Sequence, residues 1–137
     1  MENVFGNVFV LDSLKKDLLL LTEKIKEEKP DFILGVAKSN KNYSIIEQVA
    51  VNTFNKKGTI DKTGKKILYL NIPKNISSKF FLSKRSTTSF CNYSMYKMQT
   101  FLEDEHLSIP FSFVHVLEKD ISFLHLLVTN THLFKQQ

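Results

Sequence analysis

The sequence has little cysteine, glycine and proline: one Cys, four Gly and three Pro in 137 residues, with no Trp. A single cysteine, Cys91, excludes an internal disulfide and is typical of a reducing compartment. The first residues lack the basic start and apolar core of a signal peptide. The longest uncharged apolar run, residues 32–37, is far too short to cross a membrane. We therefore expect a cytoplasmic protein with no membrane partner.

The length and the balance of residue types are those of a globular protein. The chain is 42% hydrophobic and 24% charged, which is an ordinary composition for a soluble domain. A chain of this length can bury one core and is too short for two, so we predict a single domain over residues 1–137. No internal repeat or low-complexity segment interrupts it.

Positive charge is concentrated in the middle of the chain. The formal net charge is +5, but residues 38–97 hold twelve Lys or Arg and two acids, Glu47 and Asp61. Such a segment could attract an anionic ligand or a nucleic acid. Lysines are mostly exposed and solvated, however, and no nucleic-acid-binding signature accompanies these. We expect no nucleic-acid partner, and keep an anion or nucleic-acid binder as a third hypothesis for function.

Hydrophobic spacing in the first third of the chain predicts strand, helix and strand. Residues 4–11 form a strand candidate, with residues 8–11 as its firm part. Leucines and an isoleucine then recur at helical spacing before Pro30: Leu14, Leu18, Leu21 and Ile25. Residues 31–37 are mostly apolar, as in a strand covered on both faces. This order predicts a right-handed βαβ unit in a parallel sheet.

The rest of the chain alternates between apolar runs and polar loops. Residues 53–66 predict a basic hairpin or extended loop, and residues 90–105 and 119–134 predict helices, the second of which closes the chain. Further strands are predicted at residues 44–52, 67–72, 79–83 and 111–116.

Cys91 lies where the strand at 79–83 gives way to a helix. Small hydroxyl residues precede it and suit a turn and a helix N-cap. The unpaired N–H groups of a helix start favour a thiolate over a thiol. His115 lies near the end of another strand, and ligands of parallel sheets bind at carboxyl ends of strands. A cysteine, a histidine base and an orienting carboxylate, for which Glu47 is available, form a nucleophilic site.

Each of these residues also has an ordinary structural interpretation. A lone cysteine is usually a small buried hydrophobe. His115 could be satisfied by the backbone, and Glu47 could pair with one of the many lysines. The residues alone leave these alternatives open.

Four segments resemble the pyroglutamyl peptidase (pyrrolidone-carboxylate peptidase) family of cysteine peptidases. Residues 47–52, E-Q-V-A-V-N, resemble its E-R-V-A-I-N, and residues 88–96, T-S-F-C-N-Y-S-M-Y, resemble its T-F-V-C-N-H-x-x-Y. Residues 113–116, F-V-H-V, resemble F-I-H-V-P, and residues 30–36 resemble the strand P-D-x-I-I-x-V. The resemblance covers roughly residues 8–116.

The resemblance implies a fold, an activity and a set of site residues. The fold would be a three-layer α/β/α sandwich of the phosphorylase/hydrolase-like class, with a mostly parallel sheet, shortened at the N-terminus. Cys91 would be the nucleophile, His115 the base and Glu47 the residue that orients it. Lys57 stands where the family has an arginine, and we assign it with Phe90 to oxyanion and substrate binding. The family removes an N-terminal pyroglutamyl residue from peptides through an acyl-enzyme, so the implied partner is a peptide with a blocked N-terminus. The resemblance implies no metal and no cofactor.

The sequence also departs from the family's pattern. The family's G-F-x-P-F-G loop, whose aromatics help form the pyroglutamate pocket, has no counterpart here, and Leu117 replaces the proline after H-V. We therefore expect weak or altered specificity. The alternative is a degenerate, non-catalytic homologue that acts as a binding module. Loss of an edge segment exposes a strand edge or an apolar face, so we also expect a homo-oligomer.

Overall fold

A six-stranded sheet with helices on its faces forms the centre of the molecule. The computed structural model describes residues 7–11, 14–54, 58–73, 80–83, 90–127 and 132–136. In chain order the elements are β1 (Asn7–Leu11), α1 (Leu14–Glu28), β2 (Ile33–Lys38), β3 (Ser44–Glu47), β4 (Val49–Val51), β5 (Ile67–Tyr69), β6 (Phe80–Ser83), α2 (Phe90–Asp104), β7 (Phe111–Val116), a 3₁₀ helix (Glu118–Leu127) and β8 (His132–Gln136).

The sheet is mixed but mostly parallel, with strand order β1-β8-β2-β7-β3-β6. Neighbouring strands are parallel except β3 and β7, which pair antiparallel. The predicted α/β class with a mostly parallel sheet is therefore confirmed. In the predicted βαβ unit, β1 and β2 do run parallel, but β8 lies between them and hydrogen-bonds to both.

Two of the sequence predictions for single elements are wrong. The closing helix predicted over residues 119–134 is instead the 3₁₀ helix Glu118–Leu127 and, further on, the strand β8. Because β8 pairs on both sides, the hydrogen bonds of two ladders override the helical spacing of its residues. The single strand predicted over residues 44–52 is two strands, since Gln48 separates β3 from β4 and β4 pairs with β5 in a separate two-stranded sheet.

Helices cover the sheet on both faces, so the predicted three layers are present. On one face, α1 and α2 bury Leu21, Ile25 and Met98 completely against the sheet residues Ile33 and Phe113. The predicted apolar stripe of α1 thus faces the core. Each fully buried side chain of this size stabilises the fold by about 1.5–3 kcal/mol.

The opposite face of the sheet has its own core under the 3₁₀ helix. Leu124 packs there on side chains that alternate with those of the first face: Leu34, Val36, Ile46, Val114 and Val116. This alternation fixes which residues of β7 can meet α2, because successive strand residues point to opposite faces. No helix among the described residues is long and apolar enough to cross a bilayer.

The loop between β4 and β5 is organised by the side chain of Asn52. Its Oδ1 accepts hydrogen bonds from the N–H groups of Ile60 and Asp61, both at 2.8 Å, and its Nδ2 donates to the Asp61 carbonyl at 2.6 Å. One side-chain amide therefore holds the loop through hydrogen bonds to its backbone groups. The loop is held against α2, where the Tyr96 hydroxyl donates to the Lys65 carbonyl at 2.7 Å.

Candidate active site

Glu47 and His115 are brought together by the antiparallel pairing of β3 with β7. In that register His115 is opposite Ile45, and Glu47 is opposite Phe113. Glu47 and His115 are therefore diagonal neighbours on one face, a separation that long side chains can span. The Glu47 Oε1 lies 3.5 Å from the His115 Nδ1, and only 6% and 18% of the two side chains are exposed. The carboxylate therefore faces the ring in a largely dry environment.

Cys91 reaches the same histidine from the helix layer. It is the second residue of α2, is half-buried, and packs against the core that α1 and α2 form with the sheet. Cys91 and Glu47 both lie close enough to His115 to raise its pKa. The structure thus places all three predicted residues on one face of the sheet, with His115 between the other two.

The route by which Cys91 reaches His115 differs from the one expected. The sequence predicted that the strands before the two residues end at the same edge of a parallel sheet. In the structure β6 is parallel to β3, which is antiparallel to β7, so β6 and β7 run in opposite directions. The contact is instead made between the first turn of α2 and the face of β7.

The electrostatics of the site centre on His115. Burial lowers its pKa, but hydrogen bonds to Cys91 and Glu47 and the negative charges of these two groups outweigh burial and raise the pKa to about 9. The arrangement consequently favours a protonated His115 between the Cys91 sulfur and the Glu47 carboxyl group. A cysteine beside a protonated histidine is the arrangement in which the sulfur can act as a nucleophile and the histidine as an acid.

Asn92, which the sequence analysis did not single out, ties the start of α2 to the end of β4. Its side chain is fully buried; Oδ1 accepts from the Val51 N–H at 2.8 Å, and Nδ2 donates to the carbonyls of Val51 and Thr53 at 2.9 and 3.0 Å. These bonds hold the residue next to Cys91 at a fixed place. The signal in the sequence that could have identified it is an asparagine directly after the cysteine, at the position of the asparagine in the family segment that residues 88–96 resemble.

Of the two residues assigned to oxyanion and substrate binding, the structure describes only Phe90. Lys57 lies outside the described residues. Phe90 is the first residue of α2; its side chain is 58% exposed, and its ring contacts Phe54 edge-on with centroids 5.4 Å apart. Phe54 also contacts Tyr93, at 5.1 Å between centroids. An aromatic surface therefore lies directly beside the helix start that carries Cys91.

The side chains that the structure describes do not form a metal-binding cluster. In the part of the chain that the structure describes, no cluster of three or more His, Cys, Asp and Glu side chains has the proximity needed to hold a metal ion. The chemistry that the arrangement supports is that of a polarised thiol, a proton carrier and an orienting carboxylate.

The fold and the site together define an α/β protein with a Cys-His-Glu arrangement at the face of a mixed sheet. Solved pyroglutamyl peptidases have a similar fold. The pyroglutamyl peptidase I of Bacillus amyloliquefaciens matches with a TM-score of 0.65 at 22% identity, over 78% of this chain and 62% of that one. The pyrrolidone carboxyl peptidase of Thermococcus litoralis matches with a TM-score of 0.66 at 20% identity, over 77% and 57% of the two chains. A mutant of the Pyrococcus furiosus enzyme matches with a TM-score of 0.63 at 18% identity, over 82% and 62%.

These matches show that the chain has the fold of the pyroglutamyl peptidases, as the resemblance implied. The chain spans about three fifths of the length of those structures. No protein-family model matches the sequence, and no curated protein matches it.

Proposed function

We propose that this protein is a cysteine hydrolase that removes an N-terminal pyroglutamyl residue from peptides. The observation that carries the proposal is the position of His115, 3.5 Å from Glu47 and close enough to Cys91 for the two side chains to interact. The fold shared with solved pyroglutamyl peptidases supports the choice of substrate.

Acylation needs Cys91 as a thiolate and His115 as an imidazolium. The Cys91 sulfur attacks the carbonyl carbon of the pyroglutamyl residue, a C–S bond forms, and the carbonyl electrons move to oxygen. As the tetrahedral intermediate collapses, the His115 imidazolium gives its proton to the departing peptide nitrogen and the C–N bond breaks. The products of this half-reaction are a free peptide amine, a thioester on Cys91 and a neutral imidazole.

Deacylation reverses the role of the histidine. Neutral His115 removes a proton from water, whose oxygen attacks the thioester carbon. The C–S bond then breaks, free pyroglutamate leaves and the sulfur departs as the thiolate beside a protonated imidazole. The ion pair is restored, and no redox partner is needed at any step.

Glu47 acts on the chemistry through His115. Because its Oε1 faces Nδ1, the Nε2 nitrogen remains for Cys91 and the substrate. A carboxylate in this place holds the ring in one orientation and stabilises the imidazolium that carries the proton. The separation of 3.5 Å is longer than an ordinary hydrogen bond, and contacts of this kind tighten when a substrate binds.

The experiment is fluorophore release from a pyroglutamyl amide, with the same fluorophore on a free alanyl residue as the control substrate. We expect slow but measurable hydrolysis of the first amide only. Substitution of the nucleophile in such sites lowers the rate by about 10³-fold or more, so Cys91→Ala should abolish it. Trapping the acylated protein by mass spectrometry should place the adduct on Cys91.

Two results would contradict the proposal. Hydrolysis that survives in Cys91→Ala would assign the activity to another group. Absence of both hydrolysis and acylation in the wild type would favour the alternative, a non-catalytic homologue that acts as a binding module. We also propose that the protein works in the cytoplasm as one domain, because its thiol has to stay reduced for this chemistry.

A further inference from the structure

The sheet face that carries His115 continues past the histidine onto the last strand in the sheet order, β6. His115 is opposite Ile45, and Ile45 is in turn paired with Phe81 of β6. Ile46 and Phe80, the chain neighbours of these two residues, pack in the core under the 3₁₀ helix. Because successive strand residues point to opposite faces, Ile45 and Phe81 project from the same face as His115. A row of three side chains therefore leads from the histidine across β3 to β6.

A cavity of about 290 Å³ lies at the outer end of this row. In the part of the chain that the structure describes, its lining consists of two aromatic residues, two aliphatic residues and a serine: Tyr43, Phe81, Ile45, Leu82 and Ser83. The two aromatic rings pack edge-on, with their centroids 5.3 Å apart. None of these five residues carries a charge, so the described walls of the cavity are mainly apolar.

The aromatic walls of the cavity are open to solvent. Phe81 is 60% exposed and Tyr43 is 40% exposed, and exposed apolar patches of this kind mark places where ligands bind. A charged side chain would lose hydration in the cavity without meeting an opposite charge on the described walls. An aromatic ring, in contrast, can stack edge-on or offset against either wall. The cavity is therefore suited to an uncharged aromatic group.

We propose that this cavity binds the side chain of the residue that follows pyroglutamate in the substrate peptide, and that it selects an aromatic side chain there. This assignment rests on the proposed function, in which His115 gives its proton to the departing peptide nitrogen. That nitrogen belongs to the second residue of the substrate, so this residue lies beside the imidazole ring while the pyroglutamyl group stays on Cys91. The cavity begins at Ile45, directly opposite His115. Phe81 is two strands away from His115, or about 10 Å at the usual strand spacing, which a phenylalanyl side chain and its contact distance can span.

Binding to a protein without the nucleophile tests the cavity apart from catalysis. The probe is pyroglutamyl-(para-fluorophenylalanyl)-alanine amide, titrated with Cys91→Ala and observed by fluorine NMR. We expect a saturable shift of the fluorine signal. Adding Phe81→Ala should raise the dissociation constant about tenfold or more, as the loss of apolar contact in such a pocket does. Tyr69→Ala removes a ring of β5 that is 74% exposed and lies outside the cavity, so this matched control should leave the constant unchanged.

Competition and turnover test the selectivity for an aromatic side chain. Pyroglutamyl-alanyl-alanine amide should displace the probe about tenfold more weakly than pyroglutamyl-phenylalanyl-alanine amide does. In the wild type, kcat/KM should favour the phenylalanyl peptide over the alanyl peptide by a similar factor. Phe81→Ala should remove this difference. Circular dichroism of each variant verifies that it is folded.

The outcomes separate the cavity from the proposed hydrolysis. Absence of a saturable shift, or a dissociation constant that Phe81→Ala leaves unchanged, overturns the cavity as a binding site whatever the activity. Hydrolysis at a rate that does not depend on the second residue also overturns it, although the proposed function then stands. Selective binding of the phenylalanyl probe without hydrolysis in the wild type supports the cavity and contradicts the proposed function.

Discussion

Glu47 faces His115 across the antiparallel β3–β7 pair, with its Oε1 3.5 Å from Nδ1. The register of this pair makes the contact. His115 is opposite Ile45 and Glu47 is opposite Phe113, so the two side chains are diagonal neighbours on one face. The pairing thus places an acid from early in the chain beside a base from late in it.

Alkylation of Cys91 should be faster than that of a free thiol. With a protonated His115 beside its sulfur, Cys91 should react with iodoacetamide at neutral pH several-fold faster than N-acetylcysteine, because a neighbouring imidazolium favours the thiolate, which is the reacting form. His115→Ala should slow the reaction, and Glu47→Gln should slow it less. Cys91 is the only cysteine in the sequence, so the mass shift reports on one site. A rate equal to that of the free thiol and unchanged in His115→Ala would identify Cys91 as an inert core residue.

The stability of the protein should depend on pH through His115. Its pKa in the folded protein is raised to about 9, against about 6.5 for an unfolded histidine. The fold therefore favours the protonated ring; this stabilisation is fully present below about pH 6.5 and is lost as the pH rises through about 9.

Urea unfolding of the wild type and of His115→Gln at several pH values measures this effect. The difference in unfolding free energy between the two should shrink by an amount on the order of 1–3 kcal/mol between about pH 6 and about pH 9.5. The contributions of the other titrating groups to the unfolding free energy cancel in this difference where the substitution leaves those groups unchanged. A difference that stays constant over this range would show that His115 titrates as a free histidine does.

The sequence predicts the elements whose signals lie close together in the chain, but few of the pairings between distant segments. The apolar stripe of α1, the helix that begins at Phe90 and the strand at His115 follow from spacing alone, because their signals lie within a dozen residues. β8 could not be predicted in this way, since its strand form depends on two neighbouring strands far away in the chain. The antiparallel direction of β3 is likewise set by packing. Strand ends and motifs therefore named the candidate site residues, but they did not predict how the sheet brings these residues together.

Asn92 should be needed both for stability and for the reactivity of its neighbour. Asn92→Ala leaves the N–H of Val51 and the carbonyls of Val51 and Thr53 without their buried partner, which costs about 2–4 kcal/mol in total. Because these bonds fix the first turn of α2, alkylation of Cys91 in the folded variant should also become slower.

Ser112→Ala is the control for this prediction. Ser112 is as buried as Asn92, and its hydroxyl donates to the Asn71 carbonyl at 2.6 Å. Its side chain, however, points to the opposite face of the sheet from that of His115. Its loss should cost about 1 kcal/mol in urea unfolding and leave the alkylation rate unchanged. Equal slowing in both variants would mean that general loss of stability, and not the anchoring of α2, controls Cys91.

The loop that follows β4 should tolerate no side chain at position 64 while Tyr96 keeps its hydroxyl. A Cβ on Gly64 would collide with the Tyr96 Oη, which is buried and donates to the Lys65 carbonyl at 2.7 Å. Burial and the nearby Asp61 raise the pKa of Tyr96, so the hydroxyl remains a donor at neutral pH. Gly64→Ala should therefore destabilise the protein by about 1–3 kcal/mol, as overpacking does.

A double-mutant cycle with Tyr96→Phe separates this collision from other effects of the alanine. Tyr96→Phe alone should cost about 1–2 kcal/mol, because it removes one hydrogen bond. In the double variant the Oη is absent and the alanine finds space, so the combined loss should be smaller than the sum of the two single losses by at least about 1 kcal/mol. Urea unfolding at neutral pH measures all four proteins. Strict additivity would show that the alanine is resisted elsewhere, for example by Asp61, whose Cβ would lie 3.1 Å from the new methyl group.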